Sequence, residues 1–247
     1  MDNIEQVNRE LKGKRVVILG GTAGIGKATA QAVVAAGGQI VVASSKKKNI
    51  DATVQHLGKE HEGHVVDLSE ERNIRAFFEK VGGFDHLVFT AGESLLLGPL
   101  LSTEVQVARK FFDVRFWGAL AAVKYAIPHI NKGGSITLTG GLSAHRPSPG
   151  WSIGASICAA MEGFTRAMAV ELAPLRVNMV VPGLVRTDLW SSFSVAEREK
   201  MFTDFGGSLP VGKVGEPEEL AKAYLFLITQ TFATGQCIIV DGGGALV

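Results

Sequence analysis

The segment 15–26, RVVILGGTAGIG, constrains the fold more than any other stretch of this chain. Positions 15–19 form a short β-branched apolar run with turn glycines directly behind it, the pattern of a buried parallel strand. Gly20 and Gly21 permit a tight turn, Gly24 admits backbone close to a pyrophosphate, and Gly26 lets the next helix pack closely. A helix over 24–36 would then aim its N-terminal amides at phosphate groups. A strand, a glycine turn and a helix start in the first βα unit together predict a dinucleotide site at the front of an α/β sheet.

The rest of the chain continues that alternation. Strand patterns fall at 15–19, 39–43, 64–66, 86–89, 135–139, 176–180 and 237–240, and helical patterns at 24–36, 70–81, 103–130, 153–172 and 217–228. This predicts a single α/β domain over residues 1–247: a Rossmann-like, doubly wound, seven-stranded parallel sheet with helices on both faces. There is no internal repeat or linker. One long irregular stretch, 183–215, carries a helix-like piece at 195–205, and a loop of that length in an α/β domain is expected to act as a substrate lid.

Composition narrows the function classes. With 247 residues, 46% hydrophobic and a net charge of +1, the chain has enough apolar material for one large core and no charge excess to recruit nucleic acid or an anionic membrane. The lysine run 46–48 is too short to change that. Cys158 and Cys237 offer neither a disulfide framework nor metal-ligand spacing, so no metal is expected and reduced, cytoplasmic conditions are the default. The N-terminal stretch MDNIEQVNRELKGK lacks the apolar region of a signal peptide, and no apolar run reaches bilayer-spanning length.

The end of the second strand bears on the choice of dinucleotide. An NAD site wants an acid about 20 residues past the glycine turn, whereas Ala43, Ser44, Ser45, Lys46, Lys47 and Lys48 stand there and the first acid is Asp51. Hydroxyls and ammonium groups suit a 2′-phosphate, so NADP(H) is expected.

Several further motifs occur in order: LGGTAGIG at 19–26, Asp67, TAG at 90–92, GGSI at 133–136, EGFTRAMAVELAPLRVNMVVPGLVRT at 162–187, GEPEELA at 215–221 and TGQCIIVDGG at 234–243. Over nearly its whole length the chain resembles a classical short-chain dehydrogenase/reductase. The resemblance implies that Gly20, Gly24, Ile25 and Gly26 form the pyrophosphate turn, with Leu19 in the place of a usual threonine. It implies that Asp67, with Leu68 beside it, orients the adenine ring, and that Ala91 and Gly92 pack along the ribose, with Phe89 and Thr90 replacing a pair of asparagines. Pro182, Gly183, Val185 and Thr187 match the segment that closes over the nicotinamide. Read from the residues alone, Asp67 also suits a helix N-terminal acid and Thr187 a helix cap.

The catalytic half departs from the family. The family mechanism uses a tyrosine proton donor, a lysine four residues on, a serine and an asparagine. Alignment on the flanking motifs places Arg115 at the asparagine, Gly141 at the serine, Gly154 at the tyrosine and Cys158 at the lysine. Only Tyr125 and Tyr224 exist in the chain, followed four residues later by His129 and Ile228, so the tyrosine–lysine motif is absent at every register.

Replacement chemistry is expected from three residues. Arg115 could bind an anion or stabilise developing negative charge, His145 could donate a proton near neutral pH, and Ser143 could bind a substrate oxygen. Trp151, Trp190 and Phe193, with Phe202 and Phe205, imply a bulky apolar substrate. Three functions follow: an NADP(H)-dependent reductase of a carbonyl or imine with a non-standard proton donor, a cyclase or isomerase using the nucleotide structurally, or a non-catalytic NADP(H) sensor. The resemblance further implies a homodimer or homotetramer, through pairing of the helices at 103–130 and 153–172.

Overall fold

The computed structural model describes residues 10–247, so positions 1–9 of the polar stretch searched for a signal peptide lie outside the described residues. Its strands are β1 (Arg15–Leu19), β2 (Gln39–Ser44), β3 (Glu62–Val65), β4 (Phe84–Phe89), β5 (Ile130–Thr139), β6 (Arg176–Pro182) and β7 (Cys237–Val240). They form one seven-stranded sheet in the order β3-β2-β1-β4-β5-β6-β7, and every adjacent pair is parallel. The order reverses between β1 and β4, the place where an open α/β sheet opens a ligand crevice at its carboxyl edge.

The helices are α1 (Gly24–Ala35), α2 (Lys47–Leu57), α3 (Glu71–Val81), α4 (Val105–Phe112), α5 (Ala119–Ala126), α6 (Ser152–Glu171), α7 (Val195–Ser208) and α8 (Pro217–Thr229). Successive β1 residues feed opposite cores, as strands covered on both faces require. Val17 and Leu19 join a cluster with Phe77, Phe78, Val123 and Met161 under α3, α5 and α6. Val16 and Ile18 join a second cluster with Val33, Leu220 and Tyr224 under α1 and α8. β1 is therefore an apolar run from Val16 to Leu19, buried on both faces.

Two expectations are revised and one helix is added. Lys46 is the N-cap of α2, a helix that weak periodicity left unassigned, with only Ile50 and Thr53 buried. The helix expected over 103–130 is composite, with α4 and α5 joined by a π-helical segment, Asp113–Gly118, and followed by a 3-10 turn, Ile127–His129. The helix at 195–205 runs to Ser208 and opens with a capping box between Ser194 and Glu197.

A buried polar pair spans the two middle strands. His86 on β4 is 5% exposed, and its Nδ1 lies 2.9 Å from Ser135 Oγ on β5. Burial lowers its pKa to about 4, so the ring is neutral at physiological pH. Among the described residues no helix is long and apolar enough to cross a membrane, and no group of three metal-ligating side chains converges.

Candidate active site

The glycine turn is shaped by what a side chain would strike. Gly20 has a φ of +88°, and a Cβ there would lie 2.7 Å from the Ala91 backbone nitrogen. A Cβ on Gly26 would collide with the Gly20 carbonyl oxygen and Thr90 Oγ1. Thr90, at a position where the family carries asparagine, donates its hydroxyl to the Leu19 carbonyl at 3.1 Å and ties the end of β4 to β1. The result is a tight backbone cradle at the start of α1, with the helix amides facing out of it. Ile25, beside Gly24 and Gly26, packs half-buried against the second core.

At the end of β2, Ser44 Oγ accepts from the Lys46 backbone N–H at 3.4 Å, and Ser45 and Lys46 are exposed. Lys47 is already engaged, its Nζ lying 2.6 Å from Asp51 Oδ2. The free cation nearest this strand end is thus Lys46, at the amino end of a helix with no acid in its first turn. Asp67 is not a helix cap. Its Oδ1 accepts from the Ser69 hydroxyl at 2.7 Å and the Ser69 N–H at 3.0 Å, and these bonds hold the carboxyl below its ordinary pKa. Leu68 beside it is buried.

The segment after β6 curls back over the glycine turn. Gly183 donates its N–H to the Val240 carbonyl at 3.0 Å, and buried Val185 bridges Gly215. Thr187 does act as a cap, accepting from the Leu189 N–H at 3.4 Å to start the short turn Asp188–Trp190. Its other face touches the turn, since a Cβ on Gly24 would sit 3.2 Å from Thr187 Cγ2.

A cleft of about 550 Å³ opens at the carboxyl ends of β4, β5 and β6, where Ala91, Pro182 and Gly183 from the cofactor side reach its wall. Leu95, Phe111, Trp151, Trp190, Met201 and Phe205 belong to its apolar wall. Trp151 and Trp190 face each other with ring centroids 6.3 Å apart, and the Trp190 indole N–H donates to the Val185 carbonyl at 3.0 Å. That bond links the substrate wall to the segment over the glycine turn. Phe202 lies behind this wall with Trp190 and Val214.

All four positions that the family resemblance assigns to catalysis line this cleft: Arg115, Gly141, Gly154 and Cys158. Ser143 lines it too, and its hydroxyl points to Cys158 Sγ at 3.4 Å. Burial pushes the Cys158 thiol up from its ordinary pKa, which favours its protonated form. Gly154 and Cys158, placed by alignment on the flanking motifs, are four residues apart and share one face of α6.

Arg115 belongs to the π-helical segment, and π insertions recur at functional sites because they re-aim a side chain. Its Nη2 donates to the Glu93 carbonyl, its Cζ lies 4.9 Å from the Phe111 ring centre, and its plane presses on Gly92. A Cβ on Gly92 would come within 2.7 Å of Cζ, so this glycine makes room for the guanidinium. Nε is buried with no hydrogen-bond partner among the described residues. Burial lowers the guanidinium's pKa and Glu93 opposes it, yet an arginine remains a cation at neutral pH.

Two expected site residues lie elsewhere. His145 does not line the cleft: it is exposed, and its Nε2 lies 2.5 Å from Glu162 Oε1 on α6, drawn there by the carboxylate. Phe193 is 38% exposed and also outside the cleft, because the turn after Trp190 carries it to solvent. Neither tyrosine reaches the cleft. Tyr125 donates to Glu71 Oε1 at 2.7 Å on the surface, and Tyr224 is fully buried with its hydroxyl 2.6 Å from Thr139 Oγ1.

Residues 20–244 match the family model described as enoyl-(acyl carrier protein) reductase. The curated short-chain dehydrogenase/reductase malC of Malbranchea aurantiaca is 31% identical over 250 residues, covering 94% of this chain and 95% of malC. The solved structure of that protein, described as a reductase/Diels-Alderase, superposes with a TM-score of 0.88 at 29% identity, covering 95% of this chain and 97% of the other. A small-chain dehydrogenase in complex with NADPH superposes with a TM-score of 0.81 at 36% identity, covering 95% and 99% of the two chains. An NADPH-bound short chain oxidoreductase of Pseudomonas aeruginosa PAO1, described as containing an atypical catalytic center, gives 0.89 at 25% identity, covering 97% and 99%. With strand order, glycine cradle and end-to-end similarity in agreement, the chain belongs to the short-chain dehydrogenase/reductase family of oxidoreductases.

Proposed function

We propose that this protein is an NADP(H)-dependent reductase of a carbonyl group in a bulky apolar substrate, with Arg115 in place of the family's proton-donating set. The observation that carries this reading is a guanidinium whose Nε has no partner, set in an apolar cleft. The lining residues include no aspartate, glutamate, histidine, lysine or tyrosine.

The chain's residues fit the dinucleotide. Gly20, Gly24, Ile25 and Gly26 would hold the pyrophosphate, Ser44, Ser45 and Lys46 the 2′-phosphate, and Asp67, Leu68, Ala91 and Gly92 the adenosine. Pro182, Gly183, Val185 and Thr187 would hold the nicotinamide end. The missing acid at the end of β2 and the free Lys46 favour NADP(H), and the two NADPH-bound relatives are consistent with that choice.

When bound, the cofactor supplies a hydride. Arg115 orients the substrate oxygen and stabilises the charge that grows on it, in a site where Trp151, Trp190 and Leu95 exclude most water. A permanent cation favours a neutral carbonyl over a cationic iminium as the reacting group. Water entering past Arg146 and Ser148 delivers the final proton, since the cleft wall offers no acid suited to neutral pH. Arg115→Ala is expected to lower turnover about 100-fold or more while NADPH affinity holds, measured by NADPH oxidation and by titration calorimetry. Unchanged turnover would remove Arg115 from the mechanism.

The malC description favours one other use of the same cleft, a cyclisation or isomerisation in which Arg115 polarises the substrate. Product formation without NADPH oxidation would select it, and a tight NADP(H) complex that turns nothing over would select a sensor. As an oxidoreductase of small molecules, the protein is proposed to be cytoplasmic and a homodimer or homotetramer. Sedimentation equilibrium measures the assembly.

A further inference from the structure

α6 presents Gly154, Ile157, Cys158 and Met161 to the cleft, positions three and four apart on one helix face. Three of the four carry side chains that fill the wall. Gly154, in the first turn, carries none, and a Cβ built there would meet only Trp151 Cε3, at 4.0 Å. The glycine is therefore not demanded by backbone conformation or by packing, because its φ is ordinary and its neighbours leave room. A glycine in a helix that needs no glycine costs stability relative to alanine, so what it supplies is open space in the cleft.

That space has a definite shape. One wall is the bare backbone of the first turn of α6, and the edge of the Trp151 ring stands beside it, with Trp190 beyond. Gly141 lines the same cleft, and a Cβ there would press on Cys158 Sγ at 2.9 Å, so the thiol fills the space beside it. Arg115 lines the same cleft and provides its buried cation. A flat backbone wall edged by indole rings takes a rigid ring better than a flexible chain, which would lose more rotational freedom on binding.

We propose that the Gly154 recess is the size-selecting subsite of this enzyme, and that it receives a fused-ring ketone whose ring edge lies over Gly154 while its oxygen reaches Arg115. The inference rests on the reductase reading for the fate of the oxygen but not for the recess itself. Filling the recess by substitution should exclude the ring without touching the glycine cradle or the β2 end.

The test uses 2-tetralone as the ring probe, titrated calorimetrically into the full chain saturated with NADP⁺ so that no turnover intervenes. The wild type is expected to bind it, Gly154→Ala to weaken binding a few-fold, and Gly154→Leu by at least about tenfold. NADPH affinity should match the wild type in Gly154→Ala and its melting temperature should be no lower, since its Cβ has free space, so that variant decides if leucine impairs folding. Equal 2-tetralone affinity in the variants, or no binding by the wild type, overturns the proposal. NADPH oxidation is read separately. Gly154-dependent binding without NADPH oxidation would sink the reductase reading and leave the recess standing, whereas undiminished NADPH oxidation with 2-tetralone by Gly154→Leu would do the reverse.

Discussion

Acidification should destabilise this protein through one histidine between its central strands. His86 is 5% exposed and lies with its Nδ1 2.9 Å from Ser135 Oγ, and burial holds its pKa down to about 4 from an ordinary 6.5. The folded state therefore resists protonation that the unfolded chain accepts. Above pH 6.5 the ring is neutral in both states and its contribution is fully present; as pH falls toward 4 the unfolded state is favoured. The gap is worth about 3 kcal/mol, of which about 2 kcal/mol is gone by pH 5. Against a typical total of about 5–15 kcal/mol this is a large share. The comparison is with His86→Gln, whose amide can still face Ser135 but never ionises. Urea unfolding of both proteins between pH 7 and 4.5 should show the wild type losing about 2 kcal/mol more than the variant by pH 5. Carboxylates that protonate in the same range cancel between the two. Parallel stability curves would refute the argument.

Other outcomes follow from single contacts. Gly26→Ala places a methyl against the Gly20 carbonyl and Thr90 Oγ1, so NADPH binding should vanish by calorimetry and the melting temperature should drop by several degrees. Lys46→Glu should weaken NADPH by about tenfold or more and leave NADH nearly unchanged, while Lys47→Ala, which only releases Asp51, should do neither. Tyr224→Phe removes a buried hydroxyl 2.6 Å from Thr139 Oγ1; it should cost about 1 kcal/mol in urea unfolding, and turnover should persist. Loss of turnover with NADPH affinity intact would instead show that Tyr224 positions Thr139 at the cleft wall.

Much of the fold was readable because its central strands are buried on both faces and so appear as short apolar runs. β1 and β7 coincide with the runs read from sequence, and β4, β5 and β6 extend them by residues less apolar or at the sheet margin, such as Asp85, Asn131 and Pro182. α2 escaped notice because only Ile50 and Thr53 anchor it fully, which is too little periodicity to mark a helix. The π segment could not be read either: a π insertion changes the direction of Arg115 without changing the residues around it.

The candidate site divides along the same line. Local backbone demands write themselves into the sequence, so the glycine turn, the acid-free end of β2 and the missing tyrosine–lysine pair are visible there. Directions of side chains are set by what packs against them. Cys158 turned out to line the cleft, while His145 was drawn to Glu162 and Phe193 was carried to solvent by the turn after Trp190. The sequence alone determined a parallel α/β sheet with a dinucleotide cradle, because strand burial and glycine geometry are short-range constraints. Only the tertiary structure decided that a buried guanidinium, a bare helix turn and two tryptophans share one cleft, because that meeting depends on contacts between segments far apart in the chain.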